Sequence, residues 1–204
     1  MAEKIHFRCV DLLLEGLYES GTPERGVVVT HPHPLYGGDM RNPVVEAIHK
    51  AYRRAGFTTL RFNFRGTGKS TGTFANGIGE RADVAAAVDC LRSRGVRHIH
   101  LAGYSFGAWV NANALQGDVS ADGLIMVAPP LAFIAFDGAL RLPMLSTVVV
   151  GSRDDFAPPD LVRAGMLRWN ARARLEIIDG ADHFFFGHLD EVSRRLVRTL
   201  MHAP

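Results

Sequence analysis

Hydrophobic and polar positions alternate in two stretches near the start of the chain and then give way to continuous apolar runs. The alternation over residues 4–10 and 12–18 predicts two strands, which we expect to pair antiparallel at one edge of a sheet. Residues 26–30, Gly-Val-Val-Val-Thr, are typical of a strand buried on both faces. Further apolar runs predict strands over residues 57–63, 98–102, 122–127, 146–150 and 174–178.

Helical segments fall between these runs. We predict helices over residues 42–54, 79–94, 108–115, 158–169 and 190–201. The first has an asparagine cap at Asn42 and a proline in its first turn at Pro43. Strands that alternate with helices predict one α/β domain over residues 1–204, with a mostly parallel, doubly wound sheet and helices on both faces.

Composition narrows the class of protein. The 204 residues are 47% hydrophobic and 22% charged, as in a globular domain with a sizeable core, and the net charge of +2 is too small to imply a nucleic acid or an anionic membrane as partner. Cys9 and Cys90 lie far apart, which fits a reducing compartment without a disulfide framework. There is no signal-peptide pattern and no apolar run of roughly 18–20 residues, so we expect a cytoplasmic protein.

The pattern G-x-S-x-G at residues 103–107 lies between a predicted strand and a predicted helix. A sharp strand-to-helix turn holds its central residue, here Ser105, in an unusual backbone conformation. Side chains at positions 103 and 107 would collide in such a turn, which explains the two glycines. We therefore predict that the turn lifts the Ser105 Oγ atom clear of its neighbours, at the positive end of a helix.

Polar side chains follow several predicted strands, at the sheet edge where sites form in α/β proteins. An alcohol needs a base to become a nucleophile, and the base needs a partner that fixes its tautomer. A serine, an acid and a histidine occur in that order, each just after a strand. The candidate residues are His31, His33, Asn63, Arg65, Ser105, Asp154, Asp155 and His183.

Several separated motifs together resemble the α/β-hydrolase superfamily. They are Gly-Tyr-Ser-Phe-Gly at 103–107, Gly-Ser-Arg-Asp at 151–154 and Asp-His at 182–183. Residues 31–38, His-Pro-His-Pro-Leu-Tyr-Gly-Gly, and 63–70, Asn-Phe-Arg-Gly-Thr-Gly-Lys-Ser, are similar to those of small, lidless bacterial hydrolases related to dienelactone hydrolases and serine esterases. The resemblance spans essentially the whole chain.

This resemblance implies Ser105 as nucleophile, His183 as general base and then acid, and Asp154 as the orienting carboxylate. Asp155 is the adjacent alternative for the acid. His188 is the alternative for the base, but it lies on or near the final helix, whereas His183 follows the last strand and its loop.

The family's oxyanion hole uses the N–H of the residue after the nucleophile, here Phe106, and one N–H from the loop after the third strand. Prolines in that loop offer no N–H, which leaves His33 or Leu35, and the family's spacing favours His33. Many members have His-Gly where this chain has His31-Pro32, so Pro32 removes the flexibility of that glycine. Further expected neighbours of the substrate are Tyr36, Arg65, Tyr104 and Asp155.

Two other chemistries are weaker fits. Gly68-Lys69-Ser70 resembles the end of a phosphate-binding loop, but the first glycine of that motif is replaced by Asn63. The pairs His31/His33 and His98/His100 have the spacing of two metal ligands but no adjoining third ligand. We therefore expect no cofactor and no metal.

The sequence predicts a serine hydrolase that transfers a small acyl group to water. The alternatives are a thioesterase, lactonase or peptidase with the same triad, a non-catalytic interaction module and a metal-assisted hydrolase. The protein could also assemble as a homodimer. The segment between Val127 and Ser146 is too short for a large lid, so we expect an open cleft that favours short acyl chains. Apolar residues in this segment are predicted to form either a rim or part of the core: Phe133, Ile134, Phe136 and Leu140.

Overall fold

Strands and helices alternate along most of the chain in the computed structural model, which describes residues 2–201. The strands are β1 (Glu3–Cys9), β2 (Leu12–Glu19), β3 (Thr22–Thr30), β4 (Phe57–Phe62), β5 (His98–Tyr104), β6 (Gly123–Val127), β7 (Leu145–Gly151) and β8 (Arg174–Ile178). The α-helices are α1 (Pro43–Arg54), α2 (Gly79–Ser93), α3 (Phe106–Ala114), α4 (Pro159–Trp169) and α5 (Leu189–Met201).

All eight strands of the described chain form one sheet in the order β1-β2-β4-β3-β5-β6-β7-β8. The β1–β2 and β2–β4 pairs are antiparallel, and every other neighbouring pair is parallel. The predicted fold class, a mostly parallel α/β sheet, is therefore confirmed. The antiparallel pair β1 and β2 lies at one edge, as its alternating pattern predicts.

The helices cover both faces of this sheet. The connection from β3 to β4 runs towards the β1 edge, whereas the one from β4 to β5 runs the other way. Right-handed crossovers in opposite directions place α1 and α2 on opposite faces. The helix α5 packs beside α1 on one face, and α3 packs beside α2 on the other.

Apolar positions explain why these elements assemble. Val27, Val28 and Val29 in the second half of β3 are fully buried, as expected for a strand covered on both faces. In α1, the Asn42 Oδ1 atom accepts the N–H of Val44 at 2.9 Å and caps the helix. One face of α1 is buried against the sheet through Val44, Val45, Ala47, Ile48, Ala51 and Tyr52.

The segment between β6 and β7 contains no helix and no strand, and it follows the sheet edge without forming a lid domain. Its apolar residues divide between the two predicted roles. Leu140 is buried in the core, and the Phe136 ring packs on Trp169 with a centroid distance of 4.9 Å. Phe133 and Ile134 instead line a surface cavity. No helix within residues 2–201 is long and apolar enough to span a membrane.

Candidate active site

The turn between β5 and α3 is tighter than the sequence suggests, because the helix begins at Phe106, two residues before its predicted start. Ser105 alone joins the two elements and has φ 53° and ψ −119°. A Cβ atom on Gly103 would lie 2.5 Å from the backbone nitrogen of Ala108. A Cβ atom on Gly107 would lie 2.7 Å from the carbonyl oxygen of His31. Both glycines are thus required by backbone contact, as predicted.

Three side chains from distant parts of the sequence meet beside this turn. The Oγ atom of Ser105 lies 3.0 Å from Nε2 of His183, and Nδ1 of His183 lies 3.0 Å from each carboxylate oxygen of Asp154. All three residues are buried. The residue that contacts His183 is Asp154, whereas the neighbouring Asp155 is exposed.

The Asp154 carboxylate is fixed from behind by the backbone. Its Oδ1 atom accepts the N–H groups of Phe156 at 2.9 Å and Ala157 at 2.8 Å. Because a carboxylate accepts hydrogen bonds, the contact with His183 assigns the imidazole proton to Nδ1. The Nε2 atom then carries a lone pair directed at the Ser105 hydroxyl. This arrangement is suited to removing a proton from that hydroxyl.

The loop that carries His183 is held by aromatic side chains. The Tyr104 hydroxyl donates a hydrogen bond to the backbone carbonyl oxygen of His183 at 3.0 Å. Burial raises the pKa of the Tyr104 hydroxyl above its ordinary value, so it remains a donor at neutral pH. The Phe156 ring lies 4.6 Å from the His183 ring, and Phe185 is fully buried with a φ of 54°.

Two backbone N–H groups, those of Phe106 and His33, have no acceptor among residues 2–201. Phe106 is the first residue of α3, where an N–H has no carbonyl one turn earlier to bond. The N–H of His33 is also unengaged. The N–H of Leu35, the alternative donor, instead bonds Nδ1 of His33 at 3.2 Å. The His33 ring packs on the Phe106 ring with a centroid distance of 4.8 Å, which brings the two segments together.

A cavity of about 480 Å³ opens at Ser105 and His183. Its walls are mostly apolar and come from the loops after β3, β6, β7 and β8. Tyr36 and Tyr104 line it, as expected from the sequence, and Asn42 contributes the polar cap of α1. The remaining lining residues are Pro32, His33, Gly37, Gly38, Phe106, Pro130, Phe133, Ile134, Phe156 and Phe184.

Arg65 and Asp155 were expected beside the substrate, but neither lines this cavity. The Arg65 guanidinium instead contacts the fully buried Asp83 carboxylate, with Nη2 to Oδ1 at 2.7 Å, and its backbone N–H bonds the same carboxylate. A buried carboxylate requires a charged partner, so the Arg65 guanidinium pairs with Asp83 and does not extend towards the cavity. Asp155 points into solvent, one residue from the acid that does face the site.

His31 cannot act as half of a metal pair in this arrangement. Its ring is fully buried, with Nδ1 2.7 Å from the carbonyl oxygen of Pro32 and Nε2 accepting the N–H of Phe64 at 3.0 Å. Burial lowers the pKa of His31 to about 4, so the ring is neutral at physiological pH. Within residues 2–201, no group of three or more histidine, cysteine or acidic side chains has metal-binding geometry.

Comparison with known proteins adds independent support for the fold. A sequence model described as "Alpha/beta hydrolase family" matches residues 27–148, more than half of the chain. The chain belongs to the α/β hydrolase family. An uncharacterised relative in Rickettsia prowazekii is 32% identical over 95% of this α/β hydrolase and 86% of the relative.

Two solved structures show the same architecture as this α/β hydrolase. An α/β serine hydrolase homologue from Coxiella burnetii is 34% identical, with 97% of each chain covered and a TM-score of 0.88. A protein from Xanthomonas campestris, described as a serine hydrolase without a lid, is 28% identical, with 98% of this chain and 94% of that chain covered and a TM-score of 0.89. The expected resemblance to lidless α/β hydrolases is thus confirmed.

Sequence reasoning did not find several residues around the site of this α/β hydrolase. Asn42 was identified only as a helix cap, and the Tyr104 hydroxyl had no predicted partner. Phe156 and Phe184 were not singled out. A signal was present for Phe184, because three consecutive phenylalanines directly follow His183 in a segment expected to be a loop. Such a run on a surface loop marks an apolar site wall or a contact surface.

Proposed function

We propose that this protein is a serine hydrolase that cleaves carboxylic esters of small molecules through an acyl-enzyme intermediate. The observation that carries the proposal is the continuous hydrogen-bonded series from the Ser105 hydroxyl through His183 to Asp154, at the floor of an apolar cavity. Each of the two contacts has the distance expected of a nucleophile, base and orienting acid.

In the first half of the reaction, His183 Nε2 takes the proton of Ser105 as Oγ attacks the ester carbonyl carbon. The Asp154 carboxylate keeps the Nδ1 proton in place and stabilises the positive imidazolium that forms. His183 then gives the proton to the departing alkoxide, and the acyl group stays on Ser105. In the second half, water is activated by the same imidazole and releases the carboxylic acid.

The negative charge of the tetrahedral intermediate needs donors that are already oriented. We assign this role to the N–H groups of Phe106 and His33, which have no acceptor among residues 2–201 and belong to residues that line the same cavity as Ser105. The N-terminus of α3 adds a favourable dipole at the same position. One such donor typically contributes about 10²–10³-fold in kcat. Every group in this mechanism comes from the chain itself, so the proposed reaction requires only the ester and water.

The proposal is tested by hydrolysis of p-nitrophenyl acetate and by labelling with a fluorophosphonate probe. We expect both in the unmodified protein and neither in Ser105→Ala. His183→Ala should reduce hydrolysis to a similar extent, whereas His188→Ala, which changes the neighbouring histidine, should retain it. Labelling without ester hydrolysis would favour a thioester, lactone or peptide substrate. Absence of both in the unmodified, folded protein would favour a non-catalytic interaction module.

A further inference from the structure

Four phenylalanine and tyrosine side chains within residues 2–201 are exposed, and all four lie at one place on the surface. They are Tyr36 (76% exposed), Phe133 (58%), Phe184 (52%) and Phe186 (76%). The first three line the cavity at Ser105, and the ring of Phe186 lies 5.8 Å from that of Phe184. Single exposed apolar residues are common on protein surfaces and need no explanation. A cluster of them around a cavity indicates a binding surface.

These rings form a connected series with Phe156, which we call the aromatic collar: Tyr36, Phe133, Phe156, Phe184 and Phe186. The centroid distances along it are 6.5 Å, 5.6 Å, 6.4 Å and 5.8 Å. Its members come from the loops after β3, β6, β7 and β8. The collar therefore begins inside the cavity and continues outside it, to a residue that does not line the cavity.

We propose that the collar binds the apolar tail of the ester, and that the physiological substrate carries a chain longer than the cavity alone accommodates. The inference rests on the proposed function and specifies its substrate class. The collar is continuous with the cavity wall, so a tail whose carbonyl is at Ser105 passes over Phe184 to reach Phe186. It replaces the expectation of short acyl chains, which followed from the absence of a lid.

Burial of each methylene group removes apolar surface from water and strengthens binding about fourfold when it is complete. A tail on an open surface is covered on one side, so we expect about twofold for each methylene. Between p-nitrophenyl butyrate and octanoate, four methylenes should thus raise kcat/KM by about 16-fold. The measurements are made below the concentration at which the esters aggregate.

The collar is tested with Phe186→Ser, which removes its outermost ring from an exposed position where folding does not depend on it. The octanoate-to-butyrate ratio of kcat/KM should fall about threefold to fivefold, since the ring contacts only the far end of the tail. The matched control is Leu167→Ser, which changes a 69% exposed apolar residue on α4, away from the collar. In Leu167→Ser the octanoate-to-butyrate ratio of kcat/KM should equal that of the unmodified protein.

Binding without turnover separates this inference from the proposed function. Methyl octanoate should bind Ser105→Ala more tightly than methyl butyrate by calorimetry, and Phe186→Ser in the same background should reduce the difference. If p-nitrophenyl acetate is hydrolysed but neither kcat/KM nor the binding affinity depends on chain length, the collar proposal is wrong and the hydrolase proposal stands. If no ester is hydrolysed but the chain-length dependence of binding persists, the reverse holds.

Two other occupants would also overturn the proposal. A collar covered by a second copy of the chain would make the protein dimeric, and Phe186→Ser would shift it to a monomer in sedimentation analysis. A collar that binds lipid surfaces would make the protein float with phosphatidylcholine vesicles, and Phe186→Ser would abolish flotation without changing the ratio for dissolved esters. We expect neither result.

Discussion

The hydroxyl of Tyr104 donates a hydrogen bond to the backbone carbonyl oxygen of His183 at 3.0 Å. Tyr104 directly precedes Ser105, so one short contact joins the strand that carries the proposed nucleophile to the loop that carries the proposed base. The 3.0 Å separation of Ser105 Oγ and His183 Nε2 thus depends on a residue outside the proposed triad.

Replacement of Tyr104 by phenylalanine should therefore lower kcat several-fold, with a smaller change in KM. It should also reduce the free energy of unfolding by about 1 kcal/mol, because the carbonyl loses its buried donor. Kinetics and urea unfolding measure the two effects. Tyr52→Phe is the matched control, because its buried hydroxyl lies 3.4 Å from His100, near the start of β5, whereas Ser105 follows the end of that strand. Equal loss of activity in both variants would contradict a positioning role for Tyr104.

Asp154→Asn should reduce kcat on the order of 10³–10⁴-fold while leaving the fold intact. The amide oxygen can still accept the N–H groups of Phe156 and Ala157, but the amide nitrogen favours the wrong tautomer of His183. Asp155→Asn, one residue away and exposed, should stay within about twofold of the unmodified enzyme. Steady-state kinetics on p-nitrophenyl acetate distinguish the two. Comparable losses at both positions would remove Asp154 from the assigned role.

Gly103→Ala should prevent stable folding or lower the melting temperature severely, because its Cβ would lie 2.5 Å from a backbone nitrogen that cannot move independently of α3. Gly138→Ala provides the control, since an added Cβ there meets no atom of residues 2–201 within 4 Å apart from its two chain neighbours. Circular dichroism and thermal melting compare the variants. A Gly103→Ala protein as stable as Gly138→Ala would show that the turn is not as tight as described.

Stability should fall with decreasing pH between about 6.5 and 5. Burial lowers the pKa of His31 to about 4 from the ordinary 6.5, and lowers that of His100 to about 4. Over this range the unfolded chain binds protons that the folded chain does not, so the stability present above pH 6.5 is lost as the pH falls. For His31 alone the loss down to pH 5 is about 2 kcal/mol.

Urea unfolding at pH 7, 6 and 5 measures this dependence. His100→Gln removes one of the two groups. The slope of the free energy of unfolding against pH should then decrease by the equivalent of at most one bound proton, and the contribution of His31 should remain. A free energy of unfolding that is constant over this range would contradict the buried, neutral state of both rings.

The sequence predicts the parts of this structure that depend on local chemistry. The glycines at 103 and 107 specify the turn, and the continuous apolar run at residues 26–30 specifies a central strand. The Asn42 cap predicts the start of α1 because a side chain bonds a backbone group two residues away. These features are local in the chain, so periodicity and residue type are sufficient to find them.

Other features depend on contacts between distant residues. The order β4-β3-β5 cannot be read from alternating patterns, which do not indicate which strands pair. The partner of Arg65 is Asp83, 18 residues away on α2, and nothing in the loop sequence separates a substrate-binding arginine from one paired inside the protein. The exposure of Phe186 likewise depends on Phe185, whose positive φ turns its own ring into the core between two outward neighbours.

The hairpin of β1 and β2 holds the loop of residues 63–70 in place through hydrogen bonds. On β2, the Glu15 carboxylate accepts the Asn63 side-chain amide at 2.8 Å and also the backbone N–H of Lys69, and the Glu15 N–H bonds the Ser70 hydroxyl. Asn63 in turn accepts the N–H of Met40, close to the start of α1. A shortened protein that begins at the family match, residue 27, would therefore lose more than an edge of the sheet. It would also free Asn63, which holds Met40 between Gly38 and Asn42 of the cavity wall.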